Sequence, residues 1–127
     1  MTPAAHKLYN LCVNIASETH NGIAVITLTG KLVFDESLFT LRPRIRQILE
    51  SGIKDIVFDL SGVPHADSSG CGEIIGAYTT ITKAGGRLAF VSLTPRIRQL
   101  WERINLIQIF AVFETLAEAE TYLASGK

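Results

Sequence analysis

The chain has 127 residues, with 12 basic and 12 acidic side chains and 47% hydrophobic residues. This length fits one domain with its own core, and a net charge of zero gives no long-range attraction to nucleic acid or to anionic lipid. The hydrophobic residues stand in short blocks, so no stretch approaches the ~20 apolar residues of a membrane-spanning helix. We therefore expect a single cytoplasmic domain, residues 1–127, with no nucleic-acid binding and no membrane insertion.

The first predicted element is a β-hairpin that follows a loosely ordered lead-in, residues 1–8. The lead-in has no apolar centre of the kind found in signal peptides. Val13 and Ile15 alternate with polar neighbours, residues 23–28 form a second apolar run, and Asn21-Gly22 stands between the two runs. Because Asn-Gly is typical of tight hairpin turns, two antiparallel strands are predicted.

A helix is predicted next, because the apolar period changes from two residues to between three and four. Its buried face would consist of Leu38, Leu41, Ile45, Ile48 and Leu49. Asp35 is the expected cap and Gly52 the expected end. Pro43 falls inside this pattern, so the helix is either kinked or has its regular part beginning near Pro43.

A strand, a helix and a second strand form the predicted centre of the domain. Residues 53–60 and 87–93 are largely apolar, as in strands that are buried on both faces. The helix between them would begin near Ser69 and end at Gly85-Gly86. Its inward side is predicted to be Ile74, Ile75, Tyr78 and Ile81. Such a crossover places the loop before the helix at the carboxyl end of the sheet, where open α/β sheets bind ligands.

The C-terminal part is predicted to contain two more helices and one short strand. Thr94-Pro95 supplies a cap and a first-turn proline for the first helix. The apolar residues of that helix are Ile97, Leu100, Trp101 and Ile104. A strand around residues 109–112 follows, and Thr115 with Glu118 forms a capping box for the last helix. The fold class is therefore α/β, a single domain with a mixed sheet of four to five strands (an antiparallel hairpin, then βαβ units) and about four helices.

Residues 67–70, with the sequence DSSG, stand at the start of the central helix. Asp and Ser side chains accept hydrogen bonds from the unpaired N–H groups of a first helical turn, so this segment is a good helix cap. The same N–H groups and the positive end of the helix dipole favour a phosphate. The residues alone leave both interpretations open, a simple cap and a phosphorylation site.

Ser69 and Cys71 are candidate nucleophiles of an enzyme, but neither has a visible partner. Ser69 lacks the Gly-x-Ser-x-Gly context of a hydrolase, because Asp67 and Cys71 occupy the two glycine positions. His65 could act as its base, although loop histidines are usually only solvated. Cys12 and Cys71 are too far apart to form a CxxC metal-binding pair. We therefore predict no enzyme, no cofactor and no metal site.

Two other ligand-binding patterns are incomplete. The glycines at positions 70, 72 and 76 resemble a dinucleotide-binding turn, but their spacing is one residue too long and the next strand ends without an acidic residue for a ribose. Asp59 ends a central strand like a phosphoacceptor aspartate. The acidic pair and the late lysine that such a site needs are missing from the predicted strands.

Two further features favour contacts with another molecule. Gly70 and Gly72 cost about 1 kcal/mol each relative to Ala in a helix, so their presence indicates a close approach of the sheet or of a visiting protein. The helix after residue 94 carries Arg96, Arg98 and Arg103, which would face either water or an acidic partner.

Residues 57–63 (VFDLSGV), 67–72 (DSSGCG) and 85–88 (GGRL) together resemble the STAS domain of bacterial anti-sigma factor antagonists. The likeness extends from the hairpin to the last helix, so it implies a STAS-like fold for the whole chain. It also implies a transcription-regulating, protein-binding module without catalysis of its own.

The resemblance implies a switch in which a serine at the helix start is phosphorylated by a serine kinase that is also an anti-sigma factor. The matching phosphoacceptor is Ser69, with Ser68 as the second candidate. Unmodified antagonist binds this kinase and releases a sigma factor, and a PP2C-type phosphatase restores the unmodified form. The implied partner-binding residues are Asp67, Ser68, Gly70, Cys71, Gly72 and Glu73.

Two residues depart from the family pattern. Cys71 stands where the family usually has Leu, and Glu73 stands where an apolar residue is common, which affects the identity of the partner more than the fold. The alternative within the same fold is a constitutive STAS subunit of a stressosome or of a lipid-transport ATP-binding cassette complex, unaffected by Ser69. The oligomeric state stays open.

Overall fold

The structure is a computed structural model that describes residues 13–125, so the predictions for residues 1–8 and for Cys12 lie outside the described residues. The described part of the chain contains five strands and four α-helices. In chain order these are β1 (Asn14–His20), β2 (Ile23–Thr29), α1 (Leu41–Glu50), β3 (Asp55–Gly62), α2 (Ser68–Lys83), β4 (Arg87–Val91), α3 (Pro95–Arg103), β5 (Ala111–Phe113) and α4 (Leu116–Ser125). Short 3-10 turns at Leu38–Thr40 and Leu106–Gln108 precede α1 and β5.

The five strands form one mixed sheet whose spatial order follows the chain, β1-β2-β3-β4-β5. β1 pairs antiparallel with β2, and all the other neighbours pair in parallel. Asn21 and Gly22 both have positive φ angles, 55° and 79°, as a tight hairpin turn that follows the twist of its strands requires. The predicted hairpin, the βαβ units and the α/β fold class are confirmed.

The helices cover the two faces of the sheet unequally. The larger hydrophobic core lies between the sheet and helices α1, α2 and α3, and includes Phe58, Phe90 and Trp101, all with 0% exposure. A smaller core on the opposite face packs α4 against the strands through Ala119 and Leu123. Because β3 is covered on both faces, its residues from 55 to 58 are all buried, as predicted for a central strand.

Of the two alternatives for Pro43, the structure agrees with the one in which the regular part of the helix begins near this residue. α1 begins at Leu41, so Pro43 is its third residue, and a 3-10 turn precedes it. A proline in a first turn removes none of the regular hydrogen bonds of the helix, because the N–H groups there have no helical partner. The prediction that Asp35 caps α1 is wrong, because its carboxylate accepts hydrogen bonds from the backbone N–H and the hydroxyl of Ser37, both at 2.8 Å, before the 3-10 turn.

Two isoleucines predicted to face the core are instead exposed. Ile75 of α2 is 42% exposed and Ile104, at the end of α3, is 46% exposed. The buried face of α2 consists of Gly70, Cys71, Ile74, Ala77 and Ile81. Ile75 lies beside this face and lines a groove with Leu100 and Ile104 of the α3 region.

Strand ends also differ from the predicted ones by about two residues. β3 begins at Asp55 rather than at residue 53. β4 ends at Val91 because Ser92 adopts a left-handed backbone conformation, with φ 59°. β5 begins only after Ile109, which is 57% exposed.

The predicted helix starts at Thr94 and Thr115 are confirmed by hydrogen bonds. The Thr94 hydroxyl accepts a hydrogen bond from Ile97 N–H at 3.5 Å. At the last helix, Glu118 N–H donates to the Thr115 hydroxyl at 3.2 Å, and Thr115 N–H donates to the Glu118 carboxylate at 3.3 Å. This reciprocal pair is the predicted capping box.

Candidate functional site

The loop that leads into α2 lies at the carboxyl end of the parallel strands and is held by the segment that follows β2. Leu32 N–H donates to the His65 carbonyl at 2.9 Å, and Asp67 N–H donates to the Leu32 carbonyl at 3.0 Å. These two hydrogen bonds make Leu32 and Ala66 an isolated parallel bridge. The start of α2 is therefore fixed to the end of the sheet, as the βαβ crossover predicted.

Asp67, rather than a serine, is the cap of α2. Its backbone is extended, and its carboxylate accepts a hydrogen bond from Gly70 N–H at 2.9 Å. The second carboxylate oxygen accepts one from Phe34 N–H at 3.1 Å. Partial burial of this carboxyl raises its pKa, but the backbone hydrogen bonds and the nearby His65 outweigh that effect and hold the pKa of Asp67 below its ordinary value.

The two serines are consequently free of the capping role that local sequence could have given them. Ser68 and Ser69 are the first two residues of α2, and neither hydroxyl makes a hydrogen bond to another residue within 13–125. Ser68 is exposed and Ser69 is half-buried. The N–H groups of Ser69 and Gly70 are directed at the Asp67 carboxylate, so it is the positive end of the α2 dipole that would favour negative charge at this helix start.

Ser68 and Ser69 face different neighbours. Ser68 lines a groove together with Cys71, Gly72 and Ile75, at the spacing of one helical face. Ser69 stands four residues before Glu73 and therefore on its side of the helix. Because Glu73 is bound to Arg42 of α1, Ser69 lies on the side of α2 that faces α1.

Gly70 and Gly72 differ in the space that surrounds them. A side chain at Gly70 would collide with the carbonyl oxygen of Leu32, and Gly70 is buried. The close approach expected at Gly70 is therefore made inside the domain, by the backbone of Leu32 in the segment after β2. Nothing lies within 4 Å of the position of a side chain at Gly72, which is exposed, so of the two glycines Gly72 is the one with open backbone at the surface.

Cys71 is 7% exposed. Burial raises the pKa of its thiol, and the negative charge of Asp67 acts in the same direction. A protonated, buried thiol is a poor nucleophile. His65 makes no hydrogen bond to either serine in the described part of the chain, so the nucleophile–base geometry of an acyl-transfer site is not formed there.

Glu73 is neutralised inside the domain. Its carboxylate accepts a hydrogen bond from the Arg42 guanidinium at 3.1 Å, and its side chain is only 13% exposed. The charge that departs from the family pattern therefore has a partner on α1. Arg42 is 31 residues away in the chain, so local sequence could not reveal this contact.

Sequence reasoning missed an exposed aromatic pair beside the site. Phe34 is 72% exposed and Phe39 is 45% exposed, and their rings meet edge to face with centroids 5.6 Å apart. The hydrogen bond from Phe34 N–H to Asp67 ties this pair to the start of α2. Both residues fall outside the apolar period predicted for α1, which is the sequence feature that could have indicated their exposure.

Other candidate residues have local roles. The Asp59 carboxylate accepts a hydrogen bond from Ser61 N–H at 2.9 Å, which stabilises the end of β3. Arg98 is bound to Glu114 at 2.9 Å. Within residues 13–125 there is no cluster of three His, Cys, Asp or Glu side chains that could hold a metal ion, and no helix long and apolar enough to span a membrane.

The chain is similar in sequence to one protein family and to a named relative. The family model described as the STAS domain matches residues 14–119. An anti-sigma F factor antagonist from Paenibacillus polymyxa is 28% identical over 111 residues, which cover 87% of this chain and 95% of that protein.

Solved structures show the same fold. An anti-sigma factor antagonist from Mycobacterium paratuberculosis has a TM-score of 0.74 at 24% identity, covering 88% of this chain and 94% of that one. The Bacillus cell fate determinant SpoIIAA in its phosphorylated form has a TM-score of 0.67 at 21% identity, covering 86% of this chain and 98% of that one.

Proposed function

Because the chain belongs to the STAS domain family, we propose that it is an anti-sigma factor antagonist that is switched by phosphorylation of Ser69. In the unmodified form it binds an anti-sigma factor serine kinase, which then releases its sigma factor. Phosphorylation by that kinase ends the interaction, and a PP2C-type phosphatase restores it. The domain itself catalyses nothing in this scheme and needs no cofactor.

The observation that carries the proposal is the position of the Ser69 hydroxyl. Ser69 is a half-buried residue at the start of α2, and the capping of that helix is already provided by Asp67. A phosphate on Ser69 would therefore leave the helix cap in place. It would also gain from the positive end of the α2 dipole.

The names of the relatives also support a phosphorylation-switched antagonist. The Paenibacillus polymyxa relative is named an anti-sigma F factor antagonist. SpoIIAA, also described as an anti-sigma factor antagonist, has been solved in an unphosphorylated and a phosphorylated form. We extend this pair of states to the present chain by way of Ser69.

The switch follows from where the added charge can be tolerated. A phosphate adds about −1.5 to −2 charges at neutral pH, next to the ionised carboxylate of Asp67. In the free domain this charge stays in water and beside the helix N-terminus. Under a docked partner it would have to be desolvated, which costs several kcal/mol and corresponds to a loss of affinity of about 10²- to 10³-fold.

Gly72 and the aromatic pair Phe34 and Phe39 extend the surface that such a partner would cover. Gly72 leaves open backbone on α2. Phe34 and Phe39 offer exposed apolar area of the kind that forms the centre of protein interfaces. All three lie in segments that hydrogen bonds of Asp67 join together, because Asp67 contacts both Phe34 N–H and Gly70 N–H.

The experiment is to incubate the purified chain with ATP and each anti-sigma factor kinase of its source organism, and to map the modified residue by mass spectrometry. The wild type and the Ser68→Ala variant should each gain one phosphate on Ser69, and the Ser69→Ala variant should gain none. Phosphate on Ser68 alone, or no phosphate with any kinase, would overturn the proposal. Stable co-purification with an ATPase subunit that Ser69 substitutions leave unchanged would instead favour the constitutive subunit.

A further inference from the structure

A surface between α2 and α3 combines an apolar groove with a basic one. The apolar groove, of about 410 Å³, is lined mainly by Cys71, Ile75, Leu100 and Ile104, with Asp67 and Ser68 at its end. The basic groove, of about 380 Å³, is lined mainly by His65, Arg96, Gln99 and Arg103. Ala66 and Leu100 line both grooves, so the two are adjacent. We call this the α2–α3 surface.

The basic groove carries positive charge that the domain does not neutralise. Arg96 and Arg103 stand seven residues apart and so share one face of α3, and both are exposed. Neither makes an ion pair or a hydrogen bond to another residue within 13–125. Arg98, on a different face of the same helix, is bound to Glu114.

The apolar groove is walled by the two isoleucines that the core leaves outside. Ile75 and Ile104 are 42% and 46% exposed, one on each helix. The acidic residue that lines the α2–α3 surface is Asp67, and its carboxylate is already held by Gly70 N–H and Phe34 N–H. The surface thus joins an unfilled apolar slot to unpaired positive charge.

Resting on the proposed function, we propose that the anti-sigma factor docks on the α2–α3 surface with a segment that is both acidic and apolar. An apolar side chain of this segment lies between Ile75 and Ile104, and a carboxylate lies against Arg96 and Arg103. Charge complementarity selects an acidic protein segment. Two arginines on a chain of zero net charge are too few for nucleic acid, which is held through many phosphate contacts.

This placement also explains why phosphorylation would act on such a partner. Ser69 follows Ser68, which lines the apolar groove, but it lies on the side of α2 that faces α1. A phosphate on Ser69 would therefore lie beside the α2–α3 surface and would repel an acidic docked segment through its charge rather than by filling the groove. An acidic docking segment therefore makes the interaction more sensitive to the phosphate than a neutral segment would.

The test measures the affinity of the full chain for each anti-sigma factor of its source organism by calorimetry, at low and at moderate salt. The variants are Arg96→Gln with Arg103→Gln, Ile104→Ala, and the matched control Arg98→Gln, with Ser69→Asp as the test of the proposed function. All five substituted sites lie outside the core, and circular dichroism with thermal unfolding checks that each of the four variants folds.

We expect the double arginine variant to bind at least tenfold more weakly than the wild type and to show a smaller dependence on salt. Ile104→Ala should weaken binding several-fold, because it removes apolar area from the interface. Arg98→Gln should stay within about twofold of the wild type, since its guanidinium is held away from the surface by Glu114.

The outcomes separate the two proposals. If Ser69→Asp weakens binding while the double arginine variant and Ile104→Ala match Arg98→Gln, the docking surface is wrong and the switch stands. If the wild type binds no anti-sigma factor, both proposals fail. If the wild type is a dimer and the double arginine variant is a monomer by light scattering, a second copy occupies the surface, and the docking proposal is overturned.

Discussion

Gly70 and Gly72 stand two residues apart in the first turns of α2, yet we expect their replacement by alanine to change stability in opposite directions. A side chain at Gly70 would overlap the carbonyl oxygen of Leu32 and would come within 2.7 Å of the carbonyl carbon. A side chain at Gly72 meets nothing within 4 Å. The pair therefore separates packing inside the domain from the conformational preference of the helix.

The magnitudes follow from this geometry. Alanine in a helix is favoured over glycine by about 1 kcal/mol, so Gly72→Ala should stabilise the domain by roughly that amount. Gly70→Ala gains the same preference but forces a methyl group into the backbone of Leu32. That backbone is held by hydrogen bonds to His65 and Asp67, so it can yield only at the cost of about 1–3 kcal/mol for overpacking and about 1 kcal/mol for a strained hydrogen bond.

Urea unfolding of the two variants and the wild type measures this difference directly. Gly72→Ala should raise the unfolding free energy, and Gly70→Ala should lower it, with about 2–4 kcal/mol between the two variants and similar slopes for all three proteins. Equal stabilities for the two variants would refute the contact between α2 and the Leu32 segment. Gly72→Ala also tests the partner surface, because it should weaken anti-sigma factor binding without loss of stability.

Three further predictions concern neighbouring groups. Ionised Asp67 has a pKa below its ordinary value of 3.8, so it stabilises the fold above that pH. This stabilisation is lost as the pH falls through the folded-state pKa. Urea unfolding at acid pH should therefore show a larger loss of unfolding free energy for the wild type than for Asp67→Asn; equal losses would contradict the role of Asp67 as the cap. Buried Cys71 should react with iodoacetamide far more slowly in the folded than in the unfolded chain, as measured by peptide mass spectrometry; similar rates would show an open thiol. Phe34→Ser should change the unfolding free energy by less than about 0.5 kcal/mol yet weaken anti-sigma factor binding in calorimetry; unchanged affinity would remove the aromatic pair from the interface.

Features that depend on neighbouring residues in the chain could be predicted from the sequence. Asn21-Gly22 predicted the hairpin, because few other dipeptides adopt two left-handed residues in succession. Thr115 and Glu118 predicted the capping box, whose two hydrogen bonds span only three residues. The βαβ order followed from apolar strands alternating with helical periods.

Features that depend on distant residues could not be predicted. Glu73 is neutralised by Arg42, 31 residues away, and Phe34 is held by Asp67, 33 residues away. The exposure of Ile75 depends on which face of α2 packs against the sheet, and that face includes Ile74 and Ile81 but not Ile75. Among the three polar residues at the start of α2, the local sequence did not distinguish the capping residue, because Asp and Ser are about equally good caps.

The central claim is that a phosphate on Ser69 is tolerated by the domain and rejected by its partner. The most direct measurement compares unmodified chain with chain fully phosphorylated on Ser69, in both thermal unfolding and calorimetric binding to the anti-sigma factor. We predict unfolding temperatures within a few degrees of each other, and an affinity that is about 10²- to 10³-fold lower after phosphorylation. Equal affinities of the two forms would contradict the switch.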